Sequence, residues 1–301
     1  MQTGPSIWRL NIKTAANEGI DPRKFCLDRK ILGVGWPIDL GGIINWDSYY
    51  KNGAAIYHEQ GDKGWWPAIN AVKNRLQLND LCWTRDKSGV YYLGRVVGEW
   101  EYRMTKEYLE ADVVNVRECE WFQVGEVDAV PGKVINSFIR GRTLQIVDDG
   151  NVSLYSQYLY NSLSGSNYYL LPKMSADLFA LVSSEDCEDI VGLFLQEKGY
   201  RMIPSSCKSD TAVYEFVMKH AETGASAVAQ VKQGDVDLHF EDYSSLSCDV
   251  YLLTTHGRYV GMQPSNIHCI DPDILKEFIT RKKRILSDRV KTWLSIIERL
   301  A

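Results

Sequence analysis

The chain has 301 residues, of which 45% are hydrophobic and 24% charged, and its formal net charge is -5. This length predicts two domains, and the negative charge argues against a protein that coats nucleic acid without specificity, although a local basic groove stays open. The seven cysteines are widely spaced without a Cys-x-x-Cys pair, and the first residues lack the apolar core of a signal peptide. Since no run of about 18 apolar residues occurs either, we expect a cytoplasmic protein without structural zinc or a membrane span.

The first half of the chain alternates short apolar runs with turn residues, and every tryptophan except Trp293 precedes residue 122. The pattern predicts strands at residues 8–13, 80–85, 90–97, 113–117, 119–124 and 143–147. Helical spacing is found at residues 47–75, and a short helix is predicted from Pro131. Many short strands with few helices favour a small β-barrel.

Four motifs of this half are similar to those of a PUA-like barrel of the EVE type: Gly33-Val-Gly-Trp-Pro37, Leu-x-Trp-x-Arg at 81–85, Tyr-Tyr-Leu-Gly-Arg-Val at 91–96, and Pro-Gly-Lys-Val at 131–134. The resemblance covers about residues 6–148. It implies a reader that takes a flipped or modified base into an aromatic pocket, where stacking contributes about 1–3 kcal/mol per base.

We consider aromatic and basic residues of these motifs as candidates for that role. The candidates for base binding are Trp36, Trp83 and Tyr92, and those for phosphate contact are Arg85 and Arg95. For each ring, packing in the barrel core is the competing interpretation.

Residues 162–167 are rich in Ser, Gly and Asn, a composition typical of a flexible linker. We therefore place a domain boundary near residue 165, with a base-reading domain at 1–165 and a second domain at 166–301.

Residues 210–232 predict a β-hairpin around the polar segment Ala-Glu-Thr-Gly-Ala. Folding about residues 222 and 223 places Glu215 opposite Gln230, and Lys232 then shares the face of Gln230 because side chains alternate along a strand. A carboxylate, an amide and an ammonium on one face suit Mg²⁺-dependent phosphodiester cleavage. A solvated hairpin face with a Glu–Lys pair is the alternative.

With its flanking elements, this hairpin resembles the Mrr-like branch of the PD-(D/E)XK nucleases over about residues 183–262. Gln230-Val-Lys232 stands where that branch often has Gln-x-Lys, and Glu188 lies on a preceding helix capped by Ser183 or Ser184. The resemblance implies a mixed sheet flanked by helices and a Mg²⁺ site. The expected metal ligands are Glu215, Glu188 and Asp210; Glu215 is favoured over Asp210 as the main one.

The C-terminus from Asp273 predicts one long helix that carries a basic cluster at residues 281–284. This cluster could either lie on a solvated face of the helix or contact phosphate groups, and the sequence does not distinguish the two interpretations.

Together these patterns predict an α+β, two-domain protein with a PUA-like barrel followed by a restriction-endonuclease-like domain. The expected activity is a modification-dependent DNA endonuclease of a restriction or anti-phage system, with modified DNA as partner and a homodimer for double-strand cutting. A non-catalytic reader with a degenerate nuclease core and an RNA-directed nuclease remain as alternatives.

Overall fold

The computed structural model describes residues 4–12, 14–39, 41–42, 44–139, 142–173, 177–208 and 213–300. The chain divides into two compact units, Met1–Pro172 and Lys173–Ala301. Both combine helices with sheets, which confirms the α+β class.

The first unit is built on one curled, half-barrel sheet. Its strands are β1 (Ile7–Leu10), β2 (Ile31–Val34), β3 (Leu81–Arg85), β4 (Tyr91–Val96), β5 (Glu101–Tyr102), β6 (Asn115–Gly125) and β7 (Leu144–Ile146). Their order is β2-β6-β4-β3-β1-β7, with β5 paired to β6. Only the β1–β3 pair is parallel among these described strands.

The helices of this unit are short except for the last one. They are α1 (Pro22–Asp28), α2 (Trp46–Gly53), α3 (Trp65–Asn70), α4 (Lys106–Glu110), α5 (Gly132–Ser137) and α6 (Gly150–Ser164). The helical segment predicted at residues 47–75, with a break at Gly53, is two helices, each extended by a π-helical turn, Ala54–His58 and Ala71–Arg75. The break lies after His58, because the first helix continues through Gly53 into its π-helical turn.

Two sequence-based predictions for this unit were wrong. Residues 113–117 and 119–124 belong mostly to one strand, β6, because its first half pairs with β2 and β5 and its second half with β4. Residues 162–164 are not a linker but the last turn of α6, which ends at Gly165 in a left-handed conformation. Tyr168 and Tyr169 then pack edge-to-face against Tyr160 of α6, so this segment belongs to the first unit.

The second unit has a five-stranded mixed sheet with helices around it. Its elements are α7 (Leu178–Leu181), α8 (Ser184–Glu197), β8 (Tyr200–Met202), β9 (Phe216–His220), β10 (Ser226–Lys232), β11 (Leu238–His239), β12 (Asp249–Thr254), β13 (Tyr259–Val260), β14 (Ile267–Cys269), α9 (Pro272–Arg281) and α10 (Asp288–Leu300). The sheet order is β14-β12-β10-β9-β8. β8, β9 and β10 are antiparallel neighbours, whereas β10, β12 and β14 run parallel.

Helix α8 is fixed at its start and in its middle. Ser183 caps it in a capping box with Asp186, as one of the two predicted caps. A Cβ atom at Gly192 would lie 2.8 Å from Met202 Cε, so glycine lets the helix approach the sheet closely. The buried carboxylate of Asp186 also forms an ion pair with the buried guanidinium of Arg289 on α10.

The C-terminal segment is two helices rather than the predicted one. Helix α9 ends at Arg281, a 3-10 turn at Lys283–Ile285 follows, and the chain is extended at Leu286 before α10 begins. The basic cluster lies at this break, where Arg281 and Lys282 both form ion pairs with Glu197.

Candidate functional sites

The hairpin of β9 and β10 has the register expected from its sequence. Phe216 pairs with Ala229 and Lys219 with Ser226, and the backbone N–H of Glu215 donates to the carbonyl of Ala229 at 2.8 Å. The ladder ends at the Phe216–Ala229 pair, and the backbone of Glu215 bonds to Ala229 rather than to Gln230. The side chains of Glu215 and Gln230 still meet, which confirms the predicted contact.

The side chains of this face converge on one carboxylate oxygen. Glu215 Oε1 accepts hydrogen bonds from Gln230 Nε2 at 3.1 Å and from Lys232 Nζ at 3.3 Å. Gln230 is 2% exposed, whereas the side chain of Lys232 is 38% exposed. The site therefore runs from a buried amide to an ammonium that solvent reaches.

The other end of the Gln230 amide is unusual. Its Oε1 is buried and has no hydrogen-bond partner among the residues that the structure describes. Most buried polar groups are paired, and leaving one unpaired costs about 1–3 kcal/mol. An amide oxygen is also a hard ligand of the kind that Mg²⁺ and Ca²⁺ bind. The orphaned oxygen beside the Glu215 carboxylate is therefore what a metal-binding pair would leave in the protein chain alone.

A second carboxylate acts on the same site. The pKa of Glu188, on α8, is raised to about 7 by burial first and then by the negative charge of Glu215, while Lys232 opposes the shift. Such electrostatic coupling requires that the two carboxylates lie near each other. A divalent cation between them would favour their ionised forms.

These donors fit Mg²⁺ in kind but are few in number. Glu215, Glu188 and Gln230 would supply oxygen ligands, and no further chain ligand is required because Mg²⁺ usually keeps several waters. Across the described ranges, no group of three or more His, Cys, Asp or Glu side chains is arranged to hold a metal ion. Asp210, the other predicted ligand, lies outside the described residues.

Trp83, which was predicted to bind a base, belongs to the core of the first unit instead. Trp83 is 0% exposed, and its indole N–H donates to Ser156 Oγ of α6 at 3.0 Å. It offers no face to a base, so its assignment to the pocket was wrong. Its strand is covered by α6 on that side, which the local sequence does not reveal.

Arg95 is likewise occupied within the protein. Its guanidinium donates to Tyr160 Oη at 2.8 Å, to Asn79 Oδ1 at 3.0 Å and to Glu120 Oε2 at 2.6 Å. It also lies 4.0 Å from the ring centre of Tyr168. These contacts engage three of its five N–H donors and give Arg95 a structural role in the first unit. Phosphate contact by Arg95 stays a prediction.

Arg85 and Tyr92 are more accessible but lie apart from Trp36. Arg85 is half-buried, with its guanidinium 4.9 Å from the ring centre of Phe138. Tyr92 borders an open cleft of about 500 Å³ that it shares with Trp121 and not with Trp36. The predicted base-binding residues therefore do not form one pocket.

Trp36 lines a separate cavity of about 390 Å³, together with Tyr57, Asp62 and Asp112. Its ring is fixed by a 2.8 Å hydrogen bond from Nε1 to Asp62 Oδ2, and its carbonyl accepts from Tyr49 Oη at 3.0 Å. The backbone of Trp36 is left-handed, with φ at 64°. A bulky residue held in this region costs on the order of 1–3 kcal/mol, and such strain is concentrated at ligand sites.

Asp112 closes the same cavity from the other side. Its φ is 49°, its Oδ2 accepts from the backbone N–H of Ala15 at 2.8 Å, and burial raises the pKa of its carboxyl. A Cβ atom at Gly35 would lie 2.6 Å from this carboxylate, so the glycine before Trp36 is needed for the close approach. Sequence reasoning identified Gly35 and Trp36 but missed Asp112, since no local pattern connects it to them.

No protein-family model, curated protein or solved structure matches this chain. In the described part of the chain, every helix is too short or too polar to cross a membrane. The interpretation of the two sites therefore depends on their own residues and geometry.

Proposed function

We propose that the second unit is a Mg²⁺-dependent endonuclease domain and that the first unit reads a modified or flipped base in DNA. One observation carries the nuclease part: the buried Oε1 of Gln230, which has no hydrogen-bond partner in the described ranges, lies beside a carboxylate that Lys232 also contacts. An unpaired buried oxygen lowers the stability of the fold, and a role as a metal ligand in phosphodiester hydrolysis would account for its presence.

In this proposal Glu215, Glu188 and Gln230 Oε1 would hold the metal ion. Mg²⁺ would supply charge stabilisation at the phosphate and a more acidic water. Gln230 Nε2 holds the Glu215 carboxylate in place by donating to Oε1. The partly exposed ammonium of Lys232 is available to orient the attacking water and to offset the charge that develops on the phosphate.

The base-reading part is supported by the cavity beside Trp36. The ring of Trp36 is held by Asp62, and its backbone carbonyl is held by the Tyr49 hydroxyl. The ring is therefore pre-organised for stacking, so little side-chain entropy is lost on binding. A volume of about 390 Å³ lies at the small end of ligand sites and suits one base.

A cleavage assay tests the proposal. Unmodified DNA and matched DNA with methylated, hydroxymethylated or glucosylated cytosine are incubated with Mg²⁺ and wild-type protein, Lys232→Ala or Lys219→Ala. Lys219 is the matched control because it lies on the same hairpin, where its Nζ donates to Ser226. We expect Lys232→Ala to lose cleavage about 100-fold or more while Lys219→Ala cuts normally. Equal cutting by the Lys232→Ala protein would refute the assignment of the site.

A non-catalytic reader is the second candidate function. It is favoured by the neutral amide at Gln230 and by the small number of carboxylates at the site. It predicts DNA binding that survives EDTA and no cleavage of any substrate. Competition by structured RNA in the same binding assay separates an RNA-directed protein from a DNA reader.

A further inference from the structure

The cavity beside Trp36 is lined by two carboxylates, Asp62 and Asp112, and none of its described lining residues is Lys, Arg or His. Its hydroxyl groups come from Thr14, Tyr57 and Thr143, and the first two already donate to backbone carbonyls. A phosphate would therefore meet two carboxylates and no cationic side chain among the described lining residues. A group that brings hydrogen-bond donors of its own suits these carboxylates better.

The two carboxylates differ in how many acceptor sites they have left for a ligand. Asp62 accepts from the indole of Trp36 through Oδ2, and from the backbone N–H groups of Gly64 and Trp65 through Oδ1. Its role is to hold the ring. Asp112 accepts from Ala15 and from the backbone N–H of Trp36, and a carboxylate has about four acceptor sites. Asp112 is therefore the carboxylate with acceptor capacity for a ligand.

We propose that Asp112 determines specificity by accepting a hydrogen bond from the exocyclic amino group of a base that stacks on Trp36. Cytosine and adenine, with or without a further substituent, present such an amino group, whereas thymine and uracil present a carbonyl oxygen at the corresponding position. This inference rests on the proposed base-reading function and names the class of base. The reader would then accept amino bases and reject keto pyrimidines.

The expected discrimination follows from the charge of the acceptor. A donor that meets a carboxylate forms a strong hydrogen bond, and a keto oxygen in its place leaves Asp112 unpaired and repelled. The loss corresponds to a tenfold to 100-fold weaker affinity, on the order expected for hydrogen bonds to charged groups.

Binding to single strands tests this without the cost of unpairing a duplex. Each probe is an oligonucleotide of abasic residues with one central base: cytosine, 5-methylcytosine, adenine, thymine or uracil. The full-length protein is titrated in EDTA, so that no probe is cut. We expect the amino bases to bind at least about tenfold more tightly than thymine and uracil.

Asp112→Asn is the test variant, and Asp28→Asn is its control. Asparagine tolerates the left-handed backbone and still accepts from Ala15, so the fold should persist. Asp28 is exposed on α1 and loses the same charge. The ratio of the affinities for amino and keto bases should fall to near one in Asp112→Asn and stay unchanged in Asp28→Asn.

Four results would overturn the inference, and they are distinguishable. Equal binding of amino and keto bases by wild type, or a preference that survives in Asp112→Asn, removes the role of Asp112 while base reading stands. Base-bearing probes that bind no better than a fully abasic strand remove the base-reading function itself. Binding of tetramethylammonium without binding of any base would assign the cavity to a cation.

Discussion

Replacing Gln230 by Glu tests the metal site through stability rather than activity. The amide nitrogen of Gln230 lies 3.1 Å from Glu215 Oε1, so the variant brings two carboxylates to about that separation. At an effective dielectric constant of about 20, two charges this close repel by about 5 kcal/mol. Protonating one of them at pH 7 costs only about 4 kcal/mol, given an ordinary Glu pKa of about 4.3. The folded variant therefore protonates one of the two carboxylates, since this costs less free energy than their repulsion. The expected loss of unfolding free energy is up to about 4 kcal/mol.

The sign of the pH dependence follows from that proton. The shared carboxyl has a raised pKa in the folded state, so the folded protein binds more protons than the unfolded chain above about pH 4.3. Stability of the Gln230→Glu variant therefore falls as the pH rises, and the deficit should shrink to about 1 kcal/mol at pH 5. Calorimetric unfolding in EDTA at both pH values measures this. Gln196→Glu, an exposed change on α8, is the matched control and should be neutral.

Adding Mg²⁺ completes the test. A cation held by the carboxylates favours their charged forms, so it should restore much of the lost stability at pH 7, by about 2.7 kcal/mol at 100 times its dissociation constant. A variant as stable as wild type in EDTA at pH 7 would refute the close approach of the two side chains. A destabilised variant that Mg²⁺ does not rescue would refute the metal site and leave the geometry standing.

Three further predictions concern the same fold. Glu215→Gln should lower the pKa of Glu188 from about 7, because after burial the charge of Glu215 is the largest cause of the raised pKa. Side-chain NMR titration measures this pKa, and an unchanged value would contradict the coupling of the two carboxylates. Arg289→Met should lower the free energy of unfolding by about 3–5 kcal/mol, because it removes the ion-pair partner of the buried Asp186 carboxylate. Denaturant unfolding measures this loss, and adding Asp186→Asn should recover part of it. Trp83→Ala should destabilise the first unit by about 3–5 kcal/mol without the loss of base preference expected at the Trp36 cavity, and a small calorimetric effect would show that the ring is not core.

The hairpin was predictable because local chemistry determines it. Strand alternation and a short turn with Gly224, whose φ is 70°, set the register that brings Glu215 to Gln230. The cap of α8 at Ser183 is local in the same sense. The sequence does not predict that Gln230 Oε1 is buried without a hydrogen-bond partner among the described residues. That property depends on which groups come near it in three dimensions.

The aromatic residues show where local patterns fail. Trp36 and Trp83 look alike in sequence, each flanked by small or apolar residues, but only Trp36 borders a cavity. Trp83 is covered because Ser156, on a helix much later in the chain, bonds its indole nitrogen. Period-two alternation assigns a face of a strand, but it does not say whether another element covers that face.

The neutral residue at position 230 can be understood from the charge balance of the site. With glutamine there, Lys232 forms an ion pair with Glu215, and the pKa of Glu188, about 7, lets this carboxyl take up a proton near neutral pH. A third carboxylate, almost fully buried as Gln230 is, would exceed what one lysine can offset without a metal ion. Glutamine keeps an oxygen atom at this position and removes the repulsion. If the site binds Mg²⁺ as proposed, it can fold without the ion and would still offer it two carboxylates and an amide oxygen.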